Sequence, residues 1–356
     1  MAHVPALDGM RAIAILIVVV AHAGAGKVVP GGFGVTIFFF LSGYLITSLL
    51  RLEASRTGRI DLRDFYFRRA IRILPPLYVT AAMLAVLNTW DVFGRTLNLP
   101  SLALDGAFLT NYRQILPEKF QYSLPIPLWS LDVEEHFYLI FSTVFAVVMV
   151  HMKPTRAALI CAVACVGIVG IRFLNAFLLP DITVNYFWSH TRMDSILFGC
   201  ILALWNNPAI DEDAWRPGKL TVVGAFALIA LCLAVRGDFF RETIRYTLQG
   251  IALFVIFSAA LQDRGMAFRI LGSAPMRWIA LISYTLYLVH FPIFLALERY
   301  QLPGAAVIGI GLSLLYASAM YWLVEYPLGE WRRNRRKRPN AKGLTRHLSQ
   351  AQPSDT

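Results

Sequence analysis

Ten apolar stretches, separated by short polar segments, follow one another along almost the whole chain. Most of them are long enough, or nearly so, for a helix to cross a bilayer, which takes about 20 residues. The pattern predicts an all-α, polytopic integral membrane protein with about ten transmembrane helices. The predicted spans cover residues 11–27, 33–50, 74–93, 136–152, 157–179, 191–206, 220–236, 244–262, 278–297 and 304–325.

The polar segments between the spans carry most of the charge. Of the 356 residues, 57% are hydrophobic and only 15% are charged, which is typical of a membrane protein and not of a soluble globule. If the N-terminus is cytoplasmic, the cytoplasmic segments together with Arg11, at the start of the first span, hold 23 of the 33 Lys and Arg residues. The positive-inside rule therefore predicts that both termini are cytoplasmic. The net charge of +11 then reflects membrane topology, and no nucleic-acid partner is expected.

The domain organisation follows from the same pattern. Residues 1–330 are expected to form one transmembrane domain. Residues 331–356 form a basic tail with too few apolar residues to fold, so we expect it to be disordered and to bind anionic lipid. All the cysteines lie within apolar stretches and have no metal-ligand spacing, so we interpret them as packing residues and expect no metal: Cys161, Cys165, Cys200 and Cys232.

The first span carries a cation near its start, Arg11, and an imidazole near its end, His22. Eleven residues of helix separate them by about 16 Å and leave them on one face. Ionisable residues inside membrane segments usually mark functional sites. Arg11 could instead be a positive-inside anchor, and His22 a hydrogen-bonded interior histidine or part of a signal-peptide cleavage site. His290 lies at a similar predicted depth in the ninth span, so we expect the two imidazoles to be level.

Two arginines precede the third span at the predicted cytoplasmic surface. Arg69 and Arg72 are three residues apart and project together from a helix. Such a pair suits the binding of phosphate groups, although lipid anchoring would need the same residues. In the second span, Ser42 and Gly43 form a small pair that would let either a ligand or a neighbouring helix approach closely.

Further polar residues lie at the predicted outer surface. Glu134 and Glu135 stand at the start of the fourth span, where carboxylates could complement the helix dipole or could serve proton transfer and sugar binding. Arg192 and Asp194 begin the sixth span and could neutralise one another or partners elsewhere.

Seven segments occur in one order over about residues 5–330. They are LDGMRAIAILIVVVAHA, GGFGVTIFFFLSGYLIT, FYFRRAIRILPPLY, PLWSLDVEEHFYLIF, RMDSILFGCILA, SYTLYLVHFP and VEYPL. Together they resemble membrane acyltransferase family 3, whose members O-acetylate exported glycans. The chain resembles the stand-alone type, without an extracytoplasmic hydrolase-like domain.

The resemblance implies transfer of an acyl group, chiefly acetyl, from cytoplasmic acyl-CoA to a hydroxyl of a glycan or lipid-linked saccharide, at a bacterial inner membrane. The family's Arg and His pattern falls on Arg11 and His22, and its paired arginines fall on Arg69 and Arg72. Its Glu-Glu motif falls on Glu134 and Glu135, followed by His136 where Gln is more usual.

The residues and the resemblance together predict an acyl-CoA-dependent O-acyltransferase. His22 would act as base or acyl carrier. The expected catalytic residues are His22, Glu134 and Glu135. The expected acyl-CoA ligands are Arg11, Ser42, Arg69 and Arg72. The expected acceptor ligands are Arg192, Asp194 and His290. A proton-coupled transporter or flippase of a lipid-linked sugar is the alternative, and a membrane sensor or scaffold is a third.

Overall fold

The structure is a computed structural model, and it describes residues 4–94, 97–117, 124–263 and 265–337. Within these residues every regular element is a helix and no strand occurs. The prediction of an all-α membrane protein is therefore confirmed.

Each predicted span coincides with a helix. The helices that carry the spans are α1 (Pro5–Val20), α2 (Gly31–Thr57), α3 (Leu62–Thr89), α5 (Trp129–Val147), α6 (Pro154–Leu178), α8 (Ser189–Trp205), α9 (Lys219–Ala234), α11 (Arg245–Gln262), α13 (Ala274–Arg299) and α14 (Ala305–Met320). The remaining helices are α4 (Leu99–Gly106), α7 (Val184–Phe187), α10 (Asp238–Thr243), α12 (Met266–Leu271) and α15 (Tyr326–Lys337). Short 3₁₀ turns occupy Thr110–Ile115 and Met149–His151.

Six helical segments in the described part of the chain are long and apolar enough to cross a membrane. They are Pro5–Ala25, Gly31–Thr57, Leu62–Thr89, Pro154–Leu178, Ala274–Arg299 and Ala305–Arg335. The other four predicted spans are helices that are shorter or more polar, and α5 carries three carboxylates near its start. A count of ten crossings, and the cytoplasmic location of the termini, stay predictions.

The helices pack in a continuous chain of neighbours. α1 lies between α2 and α13, α13 packs on α14, and α2 packs on α8, which also contacts α6 and α11. The α2–α8 crossing is close because it is made at glycines. A Cβ on Gly43 would overlap the Ile196 carbonyl, and one on Gly199 would overlap the Phe40 carbonyl. Gly43 therefore serves helix packing, which was one of the two interpretations of the Ser42-Gly43 pair.

Two helices differ from the sequence expectation at their ends. α1 does not end regularly but widens into a π-helical turn, Ala21–Ala25, in which Gly24 has a φ of 105°. His22 lies in this turn, so its direction does not follow from α-helical spacing. At the other end of the chain, α15 continues to Lys337, so the tail predicted to be disordered from residue 331 is helical over its first residues. Residues 338–356 lie outside the described residues.

Candidate active site

A narrow cavity of about 100 Å³ lies between α1, α2, α3, α5 and α13. Five of the residues singled out from the sequence line it: Arg11, Ser42, Arg69, Arg72 and Glu134. On α5 the lining extends from Ser130 to Tyr138, about 12 Å along the helix axis. The cavity is therefore long compared with its volume and connects two chemically different ends.

One end carries three guanidinium groups, Arg11, Arg69 and Arg72, which we call the arginine cluster. Each of the three interacts electrostatically with another member. None of them takes part in the ion pairs found among the described residues. Three positive charges held together inside an apolar bundle repel one another, so the cluster is suited to a polyanionic ligand.

The middle of the cavity is organised by Tyr138. Its hydroxyl donates a hydrogen bond to Oε2 of Glu134 at 2.7 Å and lies 3.2 Å from the Ser42 hydroxyl. The Arg69 guanidinium carbon stands 4.5 Å from the centre of the tyrosine ring, in cation–π contact. Tyr138 therefore joins the arginine cluster to Glu134. Its spacing of four residues from Glu134 on one helix is the sequence signal that could have identified it.

The two adjacent glutamates have different surroundings. Glu134 lines the cavity and is hydrogen-bonded to Tyr138. Glu135 is outside the described lining, and its buried Oε1 has no hydrogen-bond partner among the described residues. Only Glu134 is therefore placed to interact with a ligand in the cavity.

Behind Tyr287, which lines the cavity, lies a pair of histidines that are not among its lining residues. The Ser130 and Tyr287 hydroxyls lie 2.6 Å apart in the cavity wall, and the Tyr287 ring is 5.6 Å from the His290 ring. His290 Nε2 lies 3.3 Å from His22 Nδ1. We call His22 and His290 the imidazole pair. The prediction that both imidazoles lie at one level is confirmed.

Backbone carbonyls fix the proton positions in this pair. His22 Nδ1 lies 2.9 Å from the Val18 carbonyl oxygen, and His290 Nδ1 lies 3.1 Å from the Leu286 carbonyl oxygen. A carbonyl oxygen only accepts, so each neutral ring carries its proton on Nδ1. His290 Nε2 then accepts from His22, and the lone pair of His22 Nε2 is left for other chemistry. His22 is exposed, whereas His290 is fully buried, so His22 is the accessible member.

Arg192 and Asp194 do not pair with one another. Asp194 forms a 2.8 Å ion pair with Arg172 of α6, and both side chains are fully buried. Arg192 donates to the Thr36 hydroxyl and stands 3.6 Å from the centre of the Tyr246 ring. Neither lies among the described residues that line the cavity between α1 and α5. The contacts described for Arg192 and Asp194 also do not include His290, with which they were grouped as acceptor ligands.

His136 and Asp132 join the segment between α3 and α5 to the bundle. The Thr110 hydroxyl and the Asn111 amide both donate to Asp132, the latter at 3.0 Å. The Ser189 hydroxyl oxygen lies 2.6 Å from His136 Nδ1 and accepts from the Asn111 side-chain amide at 2.7 Å. These bonds hold the 3₁₀ turn after α4 against α5 and α8, which fixes the start of the helix that carries Glu134.

No metal site is evident in the described ranges, where no group of three His, Cys, Asp or Glu side chains could hold an ion. All four cysteines are buried thiols. The prediction that they are packing residues agrees with this placement.

Comparison with known sequences identifies relatives over almost the whole chain. Residues 4–324 match a family described as an acyltransferase domain. The O-acetyltransferase OatA of Staphylococcus aureus (strain NCTC 8325 / PS 47) is 29% identical over 348 residues, which cover 92% of this chain and 57% of OatA. YrhL of Bacillus subtilis (strain 168), described as a candidate peptidoglycan O-acetyltransferase, is 30% identical over 352 residues, which cover 92% of this chain and 55% of YrhL. The chain thus spans just over half the length of these relatives. No solved structure matches it.

Proposed function

Since the chain belongs to the family of acyltransferase domains, we propose that it is a membrane O-acyltransferase that moves an acetyl group from acetyl-CoA to a hydroxyl of a glycan. The names of the relatives support an acetyl group and a cell-wall or other envelope glycan as acceptor. A bacterial inner membrane is the corresponding location. The basic tail after α15 would add contacts to anionic lipid.

The arginine cluster supports acetyl-CoA as the donor. Coenzyme A carries several phosphate groups, and guanidinium groups bind phosphates through paired, charge-assisted hydrogen bonds. Arg11, Arg69 and Arg72 take part in none of the described ion pairs. Asp8 and Glu134 interact with Arg11 electrostatically, and a phosphate would add a directly bonded counter-charge. The predicted topology puts this end of the cavity at the cytoplasmic surface, where acyl-CoA is available.

The shape of the cavity supports a path for the thioester arm. Ser42 and Tyr138 lie between the arginine cluster and the hydroxyls of Ser130 and Tyr287. A slender, partly apolar arm could lie along this path, with its polar atoms contacting these hydroxyl groups. Glu134 would position Tyr138 and, with it, the ring under Arg69.

The imidazole pair supports the chemical step and is the observation that carries the proposal. His22 Nε2 takes the proton of the acceptor hydroxyl as its oxygen attacks the thioester carbonyl carbon. The carbon–sulfur bond breaks, the coenzyme A thiolate leaves, and it takes the proton back from the His22 imidazolium. The Val18 carbonyl and His290 Nε2 both lie within reach of the His22 Nδ1–H and would hold the ring in the reactive tautomer.

A second route uses the same nitrogen as a nucleophile. His22 Nε2 would attack the thioester, release the thiolate and carry the acetyl group as an acyl-imidazole. The acceptor hydroxyl would then attack this intermediate, releasing the imidazole. Both routes need the lone pair on Nε2 and the proton on Nδ1.

The experiment is an acetyl-transfer assay with the purified protein, radiolabelled acetyl-CoA and fragments of cell-wall glycan. We expect His22→Ala to lose transfer by roughly 100-fold or more, the usual scale for removing a general base. Lys27→Gln is the matched control, because Lys27 is an exposed residue just beyond the same turn. Transfer that survives in His22→Ala would refute this chemistry, and glycan movement without acetyl transfer would favour the transporter instead.

A further inference from the structure

A second and larger cavity, of about 510 Å³, opens near the predicted outer surface between α2, α7, α10 and α11. Four aromatic rings form much of its wall, from Phe33, Tyr186, Phe187 and Tyr246. Its volume lies within the range of ligand-binding pockets, whereas voids in a packed core are much smaller. We call it the aromatic cavity. The proposed transfer chemistry makes no use of it.

Positive charge is concentrated at this cavity. Arg241 and Arg245 line it, and Arg192 lies behind the wall with its guanidinium carbon 3.6 Å from the centre of the Tyr246 ring. Arg241 is neutralised by neighbours, since its Nε donates to Glu242 at 2.7 Å and it also pairs with Asp238. The hydrogen bond to Glu242 raises the pKa of Arg241, so its charge is permanent.

The other two guanidiniums take part in none of the described ion pairs, although Asp194 interacts with Arg192 electrostatically. Arg245 takes part in none of the described ion pairs, and its buried Nε has no hydrogen-bond partner among the described residues. Arg192 is fully buried, and its Nε and Nη1 are likewise without described partners. Uncompensated charge is costly in a low-dielectric setting, so an anionic ligand at the cavity would be stabilised.

The rest of the wall has the chemistry of a sugar site. Aromatic rings present apolar faces on which the C–H face of a sugar ring can pack. Thr183 and Gln249 also line the cavity and could donate and accept hydrogen bonds with sugar hydroxyls. An anion alone would need neither the aromatic rings nor a cavity of this volume.

We propose that the aromatic cavity binds an acidic saccharide, with Arg245 bonded to its carboxylate and Tyr186 packed against a sugar ring. This proposal rests on the proposed function for its role, because it makes the acceptor a glycan that carries negative charge. It replaces Asp194 as an acceptor ligand, since that carboxylate is already bonded to Arg172. Arg192 contributes through the charge that it places behind the Tyr246 ring.

Binding is measured without transfer, so that the two proposals can fail separately. The full chain is placed in nanodiscs of zwitterionic lipid and titrated calorimetrically with a galacturonic acid disaccharide or with its carboxyl-reduced, neutral counterpart. We expect the acidic sugar to bind on the order of 10-fold more tightly, the scale of one charge-assisted hydrogen bond. Arg245→Gln should abolish that preference, and Tyr186→Ala should weaken both sugars.

Lys27→Gln, which removes a positive charge from the outer surface beyond the cavity lining, should leave the preference intact. Binding is compared only for variants whose thermal unfolding midpoint equals that of the wild-type protein. Equal or absent binding of the two sugars overturns the proposal, as does a preference that survives in Arg245→Gln.

If phosphatidylglycerol added to the nanodisc binds through Arg245 and the sugar does not, the cavity is a lipid headgroup site. Acidic-sugar binding without any acetyl transfer would refute the proposed function and leave this proposal standing.

Discussion

Two regions of the bundle carry different kinds of charge: the arginine cluster in the lining of the cavity between α1 and α5, and the imidazole pair behind Tyr287. The arginine cluster holds three permanent cations without a carboxylate partner among the described ion pairs. The imidazole pair, behind Tyr287, holds two rings that can be neutral. His290 Nε2 lies 3.3 Å from His22 Nδ1, so the two nitrogens can share one hydrogen bond. Arginine remains protonated at any physiological pH, whereas histidine gains and loses a proton near neutrality.

This difference separates binding from proton transfer. A permanent cation suits the binding of a ligand with permanent negative charge and is a poor base. An imidazole with a lone pair on one nitrogen and an anchored proton on the other suits proton transfer. Changes at the arginine cluster should therefore alter donor affinity, and changes at the imidazole pair should alter the rate of the chemical step.

The largest effect in this comparison is expected from the double change Arg69→Gln/Arg72→Gln. It removes two charge-assisted phosphate contacts, each worth about 1.5–3 kcal/mol, so KM for acetyl-CoA should rise by roughly 100-fold or more. Steady-state kinetics at varied acetyl-CoA would measure it.

Arg68→Gln is the matched control, because Arg68 lies on the same helix but is already paired with Asp64 and Glu53. Its KM should stay near the wild-type value. An unchanged KM in the double variant, or an equal rise in Arg68→Gln, would remove the assignment of phosphate binding to the arginine cluster.

A smaller effect is expected from His290→Leu, which removes one of the two acceptors near the His22 Nδ1–H and leaves the Val18 carbonyl as the other. We expect kcat to fall roughly 10-fold while KM for acetyl-CoA is unchanged, because the donor site is the arginine cluster. His290→Asn should restore much of the rate, since its amide oxygen can accept the same hydrogen bond. If His290→Leu and His290→Asn have the same kcat at equal thermal stability, His290 does not act through its hydrogen bond with His22.

The smallest effect is expected from Tyr138→Phe. Tyr138 contacts both Arg69 of the arginine cluster and Glu134. The ring under Arg69 is kept, and only the hydrogen bonds to Glu134 and Ser42 are lost. A single hydrogen bond contributes about 1 kcal/mol, so KM for acetyl-CoA should rise about 5-fold. Tyr138→Leu also removes the cation–π contact and should give a larger rise. If instead kcat falls and KM does not, Tyr138 belongs with the chemical step.

Much of the architecture could be predicted from the sequence because it depends on local hydrophobicity. Apolar length predicted the helices, and the positions of His22 and His290 within their spans predicted that the two imidazoles would be level, although not that they would be in contact. The grouping of Arg11 with Arg69 and Arg72 followed from topology, since all three lie near one predicted membrane surface.

What could not be predicted depends on which helix lies beside which. Asp194 pairs with Arg172, a residue of the preceding long helix, although Arg192 is only two positions away. Neighbours two apart on a helix point in different directions, so closeness in sequence was a poor guide. The π-helical turn at His22 was also beyond prediction, because it arises from packing at the end of α1 and changes the direction of one side chain.

The central claim is that the donor is bound at the arginine cluster and the acetyl group is handed over at the imidazole pair. Oriented proteoliposomes test it most directly, with radiolabelled acetyl-CoA supplied on one side only and acceptor glycan on the other. We expect labelled glycan only when acetyl-CoA is on the membrane face of Arg69 and Arg72, with coenzyme A released on that same face. Labelling that occurs when acetyl-CoA is supplied only on the face of His22 would contradict it.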